Sequence, residues 1–283
     1  MPVSQGIRSA SRPRLHGYGK FSKQDPNFMD IATIIGLLLG FGAVIGGQIL
    51  EGGHLSAIVQ PTAALIVLGG TFGAAFISFP LATIKQAVKD SKRVLFVNAG
   101  DNEAIIKEMI NYAAKARRNG LISLEQEAQT AKDRFTRKGI SLVVDGIDPQ
   151  KLQDTMETEL DTYEDHAKGS VEFFEAAGGY APTIGIIGAV LGLIHVMNNL
   201  SDTSKLGGGI AVAFVATIYG LMVANIICLP FATKLKHRVK EDLLQKRMII
   251  EGLTAIQNGE NPHYIEQKLR SFLVQTGDEK KGK

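Results

Sequence analysis

Four stretches of this chain are almost stripped of charge, and each is long enough to cross a bilayer. Ile31 to Leu50 runs for twenty residues without an Asp, Glu, Lys or Arg, and a helix of that length spans the roughly 30 Å of a membrane's hydrocarbon core. A second window runs from about Ala57 to Phe79 and is closed by Pro80, a third from about Ala176 to Met197, and a fourth from about Gly207 to Phe231. Averaged over 283 residues the chain is 45% hydrophobic and 21% charged, which would describe an ordinary soluble protein. The class is carried by segregation, not by the mean. Helices buried in a soluble core do not come as four uncharged windows of this length. Gly, Ala and Thr recur in all four, and these residues let membrane helices approach closely.

Lys and Arg orient the spans. Residues 1–28 hold 5 of them, 81–175 hold 14 and 232–283 hold 11, while the connectors 51–56 and 198–206 hold Lys205 alone. Positive charge collects on the cytoplasmic side, so both termini and the segment between spans two and three are expected there. The outer face is reduced to two short loops. Residues 1–28 are basic and polar, with no acidic residue before Asp25. No small-residue cleavage site follows the first apolar stretch, so the segment reads as a disordered extension ahead of a functional start at Met29-Asp30. The fold class is an all-α membrane protein. Its expected parts are the extension over 1–28, spans one and two over 29–80, a cytoplasmic helical domain over 81–175, spans three and four over 176–231, and a helical cytoplasmic tail over 232–283.

Local signals fill in the parts outside the membrane. Ala82 to Phe96 reads as a charged continuation of span two. Asp101 or Asn102 is placed to cap a helix carrying Ile105, Ile106, Met109, Ile110 and Ala113 at helical spacing, stopped by Gly120. Ser123-Leu124-Glu125-Gln126 has the form of a capping box and predicts a helix to about Lys138. Asp148-Pro149 pairs a cap with proline at the first helical position, and the helix it opens is expected to run straight into span three. Span four likewise continues through Lys234 and Arg238 to about Gly259, and Asn261-Pro262 opens a last helix. The acidic extension (Asp154, Glu157, Glu159, Asp161) and the basic one (Lys234, Lys236, Arg238, Lys240) would attract side by side, but solvated faces are the default for such runs.

What the spans lack is as informative as what they hold. Ion pumps and proton relays carry ionisable groups at bilayer depth; here the four windows offer only His195, toward the outer end of span three. Either the protein is not a transporter, or its ion-carrying group comes from a partner's helix. No Ser/His pair or metal-ligand spacing occurs in the spans, so no enzyme is expected, and no resident cofactor or metal. The one cysteine, Cys228, sits in an apolar window and reads as packing. A net charge of +3, scattered along the chain, gives no case for nucleic acid. Pro182 and Pro230 lie near the inner ends of spans three and four, and similar depth is expected for them. Each removes a backbone donor and frees a carbonyl that only protein or water can satisfy.

The order and wording of these segments resemble the MotA/PomA flagellar stator family, related to TolQ and ExbB, over roughly residues 29 to 260. Span two reads Gln60-Pro61-Thr62 through Leu68-Gly69-Gly70-Thr71-Phe72-Gly73-Ala74, and span three Ala181-Pro182-Thr183-Ile184-Gly185 through Gly192-Leu193-Ile194-His195. Span four matches from Ala224-Asn225 to Leu229-Pro230-Phe231-Ala232, and Arg117-Arg118-Asn119-Gly120-Leu121-Ile122-Ser123-Leu124-Glu125 matches the family's rotor-facing segment. TolQ and ExbB, the alternative, place one span before the large cytoplasmic segment, whereas two stand there in this chain.

The resemblance implies a subunit of the bacterial inner membrane that forms a pentamer in the lipid bilayer. The ring encloses a MotB- or PomB-type single-span partner, whose aspartate carries the ion. It implies that Pro182 and Pro230 couple ion passage to movement. Arg117 and Glu125, with Arg118 beside the first, would meet opposite charges on a FliG-type rotor switch protein. Sodium-driven members carry threonines in spans three and four that offer oxygen ligands to a hard cation. The matching positions here are Ala189 and Ala216, with Thr217 retained and Thr183 a further hydroxyl. Two missing oxygens favour protons over sodium.

Overall fold

The structure, a computed structural model, describes residues 28–97, 101–131, 133–201 and 203–278; the extension expected over 1–28 lies outside them up to its last residue. Asp30 opens the first span. Its carboxylate accepts the Thr33 N–H at 3.2 Å and caps α1 (Ile31–Leu50), none of whose side chains is buried within the chain. A turn through Gly52 at φ +83° leads to α2 (Leu55–Ile58) and α3 (Pro61–Ser78). The single helix expected from Ala57 to Phe79 is thus broken at Val59 and Gln60, both extended. Pro61 causes this, because its ring drives the preceding residue out of the helical region. Pro80 repeats the effect on Phe79, so α4 (Leu81–Leu95) is a separate helix and not a continuation of span two.

The described residues are nearly all helical. Their only strands form a two-residue antiparallel ladder, β1 (Phe28–Met29) on β2 (Phe96–Val97), with Phe28 opposite Val97 and Met29 opposite Phe96. Asp30 N–H extends it to the Leu95 carbonyl at 2.7 Å. The start of span one is therefore tied to the far end of α4.

Beyond the ladder, α5 (Asn102–Asn119) is capped by Asp101 through the Glu103 N–H at 3.0 Å and stopped by Gly120 at φ +82°, as its sequence predicts. The next segment departs from expectation. Leu121–Leu124 is a 3₁₀ turn, α6 (Glu125–Thr130) has no side-chain cap, and a second helix, α7 (Arg134–Val144), starts where one continuous helix was expected. The Ser123 hydroxyl donates to the Gly120 carbonyl at 2.6 Å instead of capping α6. Asp133 starts α7, accepting from both the Thr136 N–H and hydroxyl at 3.0 Å. A short polar side chain near a turn competes for backbone groups, and here the turn wins.

Two long helices carry the molecule. Helix α8 (Pro149–Asn198) runs for 50 residues, about 75 Å at 1.5 Å per residue, from its Asp148 cap to the outer end of span three. Gly178-Gly179 does not interrupt it. The return path is α9 (Thr203–Met222), a π-helical segment (Val223–Cys228) and α10 (Leu229–Gln257). The π segment sits immediately before Pro230. That residue cannot donate, and the turn ahead of it widens so that the Leu229 N–H reaches the Ala224 carbonyl five residues back. Helix α11 (Pro262–Asp278) closes the chain.

Glycines zip α8 to α9. A methyl group on Gly220 would stand 2.5 Å from the Ala181 carbonyl oxygen, one on Gly192 2.8 Å from the Ala213 nitrogen, and one on Gly185 3.0 Å from the Ala216 oxygen. The two backbones touch along the seam, which is how membrane helices gain dispersion contact where no hydrophobic effect draws them together. Helix α3 covers the seam through Val67 and Ala63, packed with Val215 and Ala216. Outside the spans, α5, α7, α11 and the long helices bury Met109, Ile140, Met156, Leu253, Ile265 and Leu269 in one core. Among the described residues, four helices are apolar and long enough to cross a membrane.

Gly220→Ala is expected to force α8 and α9 apart, because the obstructing atom is backbone, and to destabilise by about 1–3 kcal/mol. Gly179→Ala meets nothing within 4 Å and should leave the unfolding temperature of the purified protein unchanged. Thermal unfolding of the two variants checks the contrast.

Candidate functional site

The seam decides where the expected channel residues lie. Pro182 is half-buried in α8, and one turn earlier Gly178 faces Leu229 and Cys228, the residues just ahead of Pro230. The two prolines are therefore at the same end of the seam but about one turn apart in depth, not level. Pro182 leaves the Gly178 carbonyl without its helical donor. Thr183 is exposed, and its hydroxyl donates to the Tyr180 carbonyl at 2.8 Å; Thr217 is half-buried and donates to the Ala213 carbonyl at 3.3 Å. Ala189 is half-buried. Ala216 is fully buried against the notch at Gly188 and shows no free face. Pro182, Thr183, Ala189 and Pro230 keep accessible surface, whereas Ala216 acts through packing. None of the four spans holds an Asp, Glu, Lys or Arg between Ile31–Leu50, 55–78, 176–198 and 206–231.

His195 is exposed near the outer end of α8. It lines a cavity of about 550 Å³ with Gln60, Thr62, Leu191 and Val212, where the outer ends of α3, α8 and α9 meet. Tyr219 lies nearby and had no expected role. Its hydroxyl donates to the Ile58 carbonyl at 2.6 Å and accepts the Gln60 N–H at 3.3 Å. It thereby satisfies the backbone groups freed by the break before Pro61, which hydrocarbon could not.

Where the spans meet the helical domain, a belt of polar contacts joins α4, α8 and α10 to the start of α1. Asp30 takes Lys234 at 2.5 Å and Arg238 at 3.2 Å, across more than 200 residues of chain. Asp90 on α4 is buried, yet it accepts the Ser170 hydroxyl of α8 at 2.8 Å and both Gln86 amide bonds at 3.1 Å. Asp242 of α10 binds Arg93 of α4 and the Tyr163 hydroxyl of α8. Burial, with the Asp242 carboxylate beside it, pushes the Tyr163 hydroxyl up to about 12 against the opposing pull of Arg93. Within the basic run of α10, Lys234 and Arg238 pair with Asp30, and Arg238 also with Glu241 of its own helix. Asp30 was legible only as a start signal, because nothing in its neighbourhood points to α10.

Arg117, Arg118 and Glu125 are brought together at the far tip of the helical domain. The arginines end α5, where cations favour the helix dipole, and Glu125 begins α6, where an anion does. All three are exposed and form no ion pair with a described residue. Beneath them Lys115 grips both oxygens of Glu127 at 2.6 and 2.8 Å. That hydrogen bond holds the Glu127 carboxyl below its ordinary value, outweighing burial. Among the described residues no three His, Cys, Asp or Glu side chains come together as a metal site.

Four apolar helices free of Asp, Glu, Lys and Arg, with a charged helical domain beyond them, define a multi-pass helical membrane protein. Sequence profiles place it more closely: that of the MotA/TolQ/ExbB proton channel family matches residues 127–248, and that of the Motility protein A N-terminal region matches residues 34–120. The chain is 38% identical to Motility protein A of Bacillus subtilis over 249 residues, covering 87% of this chain and 91% of that one. It is 35% identical to Motility protein A of Helicobacter pylori over 254 residues (89% and 98%) and 34% identical to Chemotaxis protein PomA of Vibrio alginolyticus over 246 (87% and 96%). Among solved structures, C. jejuni MotAB superposes with a TM-score of 0.81 at 31% identity over 86% of this chain and 96% of that one. The flagellar MotAB stator complex of Bacillus subtilis gives 0.78 at 35% over 85% and 95%. The chain belongs to the MotA/TolQ/ExbB proton channel family, and within it is a flagellar stator subunit.

Glu127→Gln removes the charge that Lys115 holds. Because the folded carboxyl lies below its ordinary 4.5, the pair's stability is fully present above that value and is lost as pH falls through the folded one. The stability gap between wild type and E127Q, followed by thermal unfolding, should be open at neutral pH and close in acid.

Proposed function

We propose that this chain forms the wall of a proton channel in the bacterial inner membrane, around a MotB-type single-span partner that supplies the ion-carrying aspartate. The observation that carries this reading is the absence of any carboxylate from spans that otherwise match a proton channel family. The solved relatives are MotAB complexes, in keeping with a walled partner. The ring is a pentamer, both termini and the helical domain face the cytoplasm, and Arg117, Arg118 and Glu125 meet opposite charges on a FliG-type rotor switch protein. The Lys and Arg asymmetry supports that orientation.

The mechanism follows from the cost of charge in hydrocarbon. A deprotonated aspartate facing Pro182 and Thr183 needs polar partners, and the carbonyl freed by Pro182 is an acceptor for a protonated one. Protonation thus changes which neighbours the partner helix prefers. One proton crossing 100 mV supplies about 2.3 kcal/mol, enough to bias a ring between two packings of similar energy. Helices α8 and α10 run unbroken from the spans into the helical domain, so a shift in the wall becomes a displacement at the tip.

The carried ion is the proton. Ala189 and Ala216 offer no side-chain oxygen to a sodium ion, which leaves only the hydroxyls of Thr183 and Thr217. Swimming speed and ion flux at fixed pH should not change as sodium is varied, and strict sodium dependence overturns this assignment. Co-purification with an aspartate-bearing single-span protein and a proton leak that needs both chains test the channel itself. Charge reversal at Arg117 or Glu125 should reduce torque while leaving membrane assembly intact. Loss of assembly would reduce these residues to structural ones.

A further inference from the structure

The charged tip has an apolar centre. Ile122 is 73% exposed, more than any other large hydrophobic side chain of the helical domain. Its neighbours on the 3₁₀ turn behave differently: Leu124 is fully buried and Leu121 packs against the core. The turn is anchored by two leucines and presents the isoleucine between them. Single exposed apolar residues are common, so exposure alone decides nothing; the surroundings do. Arg117 and Arg118 close the helix on one side and Glu125 opens the helix on the other, all exposed and without an ion pair among the described residues.

The turn is also fixed before any partner arrives. Gly120 at φ +82° sets its entry, a conformation that a side chain would strain. The Ser123 hydroxyl and N–H both bond the Gly120 carbonyl, at 2.6 and 3.1 Å. The two-pronged Lys115–Glu127 pair ties α5 to α6 directly beneath. An apolar side chain held rigid inside a charged rim is the arrangement in which one contact carries much of an interface's energy, while the rim steers and excludes water.

We propose that Ile122 is an apolar anchor of the rotor interface. Its occupant is a pocket on the rotor protein, apolar at its floor and bordered by a carboxylate facing Arg117 and Arg118 and a cation facing Glu125. The inference rests on the reading of this tip as the rotor-facing surface and adds to it a contact that salt does not screen. Charges at the rim weaken as ionic strength rises, whereas burial of the isoleucine does not.

The test uses stator complexes assembled with their partner in nanodiscs, binding purified rotor switch protein at low and high salt. Ile122→Ser should weaken binding about tenfold or more at both salt concentrations, and Ile122→Leu should restore most of it. Arg117→Ala should weaken binding chiefly at low salt. An Ile122→Ser complex that binds like wild type while Arg117→Ala is impaired overturns the anchor and leaves the charged interface standing. Wild-type binding by both variants overturns the interface reading and the anchor with it. Because Ile122 touches little of the core, melting of the Ser variant should match wild type; a lowered melt with no rescue by Leu also overturns the anchor.

Discussion

The contact of backbone on backbone between α8 and α9 governs the rest of the structure. Gly185, Gly192 and Gly220 leave no space for even a methyl group opposite Ala216, Ala213 and Ala181. In hydrocarbon, apolar side chains gain nothing by leaving lipid for protein, so close packing must supply the attraction that water supplies elsewhere. The seam makes spans three and four one rigid element. It also fixes which residues can be reached from outside that element: Ala216 is used up in packing, while Pro182, Thr183 and Ala189 keep accessible surface.

In the proposed mechanism, rigidity of the pair is converted into movement at the tip, and the polar belt lies between the two. Asp30, Asp90 and Asp242 each hold groups from a different helix, so α1, α4, α8 and α10 cannot shift independently where they leave the membrane. The π-helical segment is the one departure from regular winding in the outward and return paths. It lies between the seam and the belt, beside Pro230. Windings of this kind are rare and occur mostly at functional sites.

Much of this was legible in the sequence because it depends on composition or spacing along one helix. The four spans, the run of α8 through Gly178-Gly179 and the caps at Asp101 and Asp148 are local properties. The breaks at Val59 and Phe79 were legible in principle, since a proline follows each by one or two residues, but hydropathy averages across them. Other features were out of reach. The Asp30 cluster joins residues more than 200 positions apart, and Ser123 was read as a cap because the pattern fits, although its hydroxyl had a nearer carbonyl in Gly120. For the candidate site, sequence picked out Arg117, Arg118 and Glu125. It could not say that they share a tip with an exposed isoleucine, because Leu121, Ile122 and Leu124 read alike until the turn's direction is known.

The lack of charge in the spans and the abundance of it at the tip are two sides of one constraint. A carboxylate fixed in the wall would need a permanent partner at depth, and that partner would hold it in one state. In the channel proposed above, a wall that leaves the carboxylate to a separate helix can offer it a succession of similar sites, each lined by Pro182 and Thr183, without committing to any. The wall then needs only to be uniform and stiff, which is what glycine-packed, uncharged helices provide. The contact that receives the motion has the opposite requirement: it must grip and release a moving partner in water. There, steering charges and one dry contact at Ile122 serve better than a large apolar face, which would bind and stay bound.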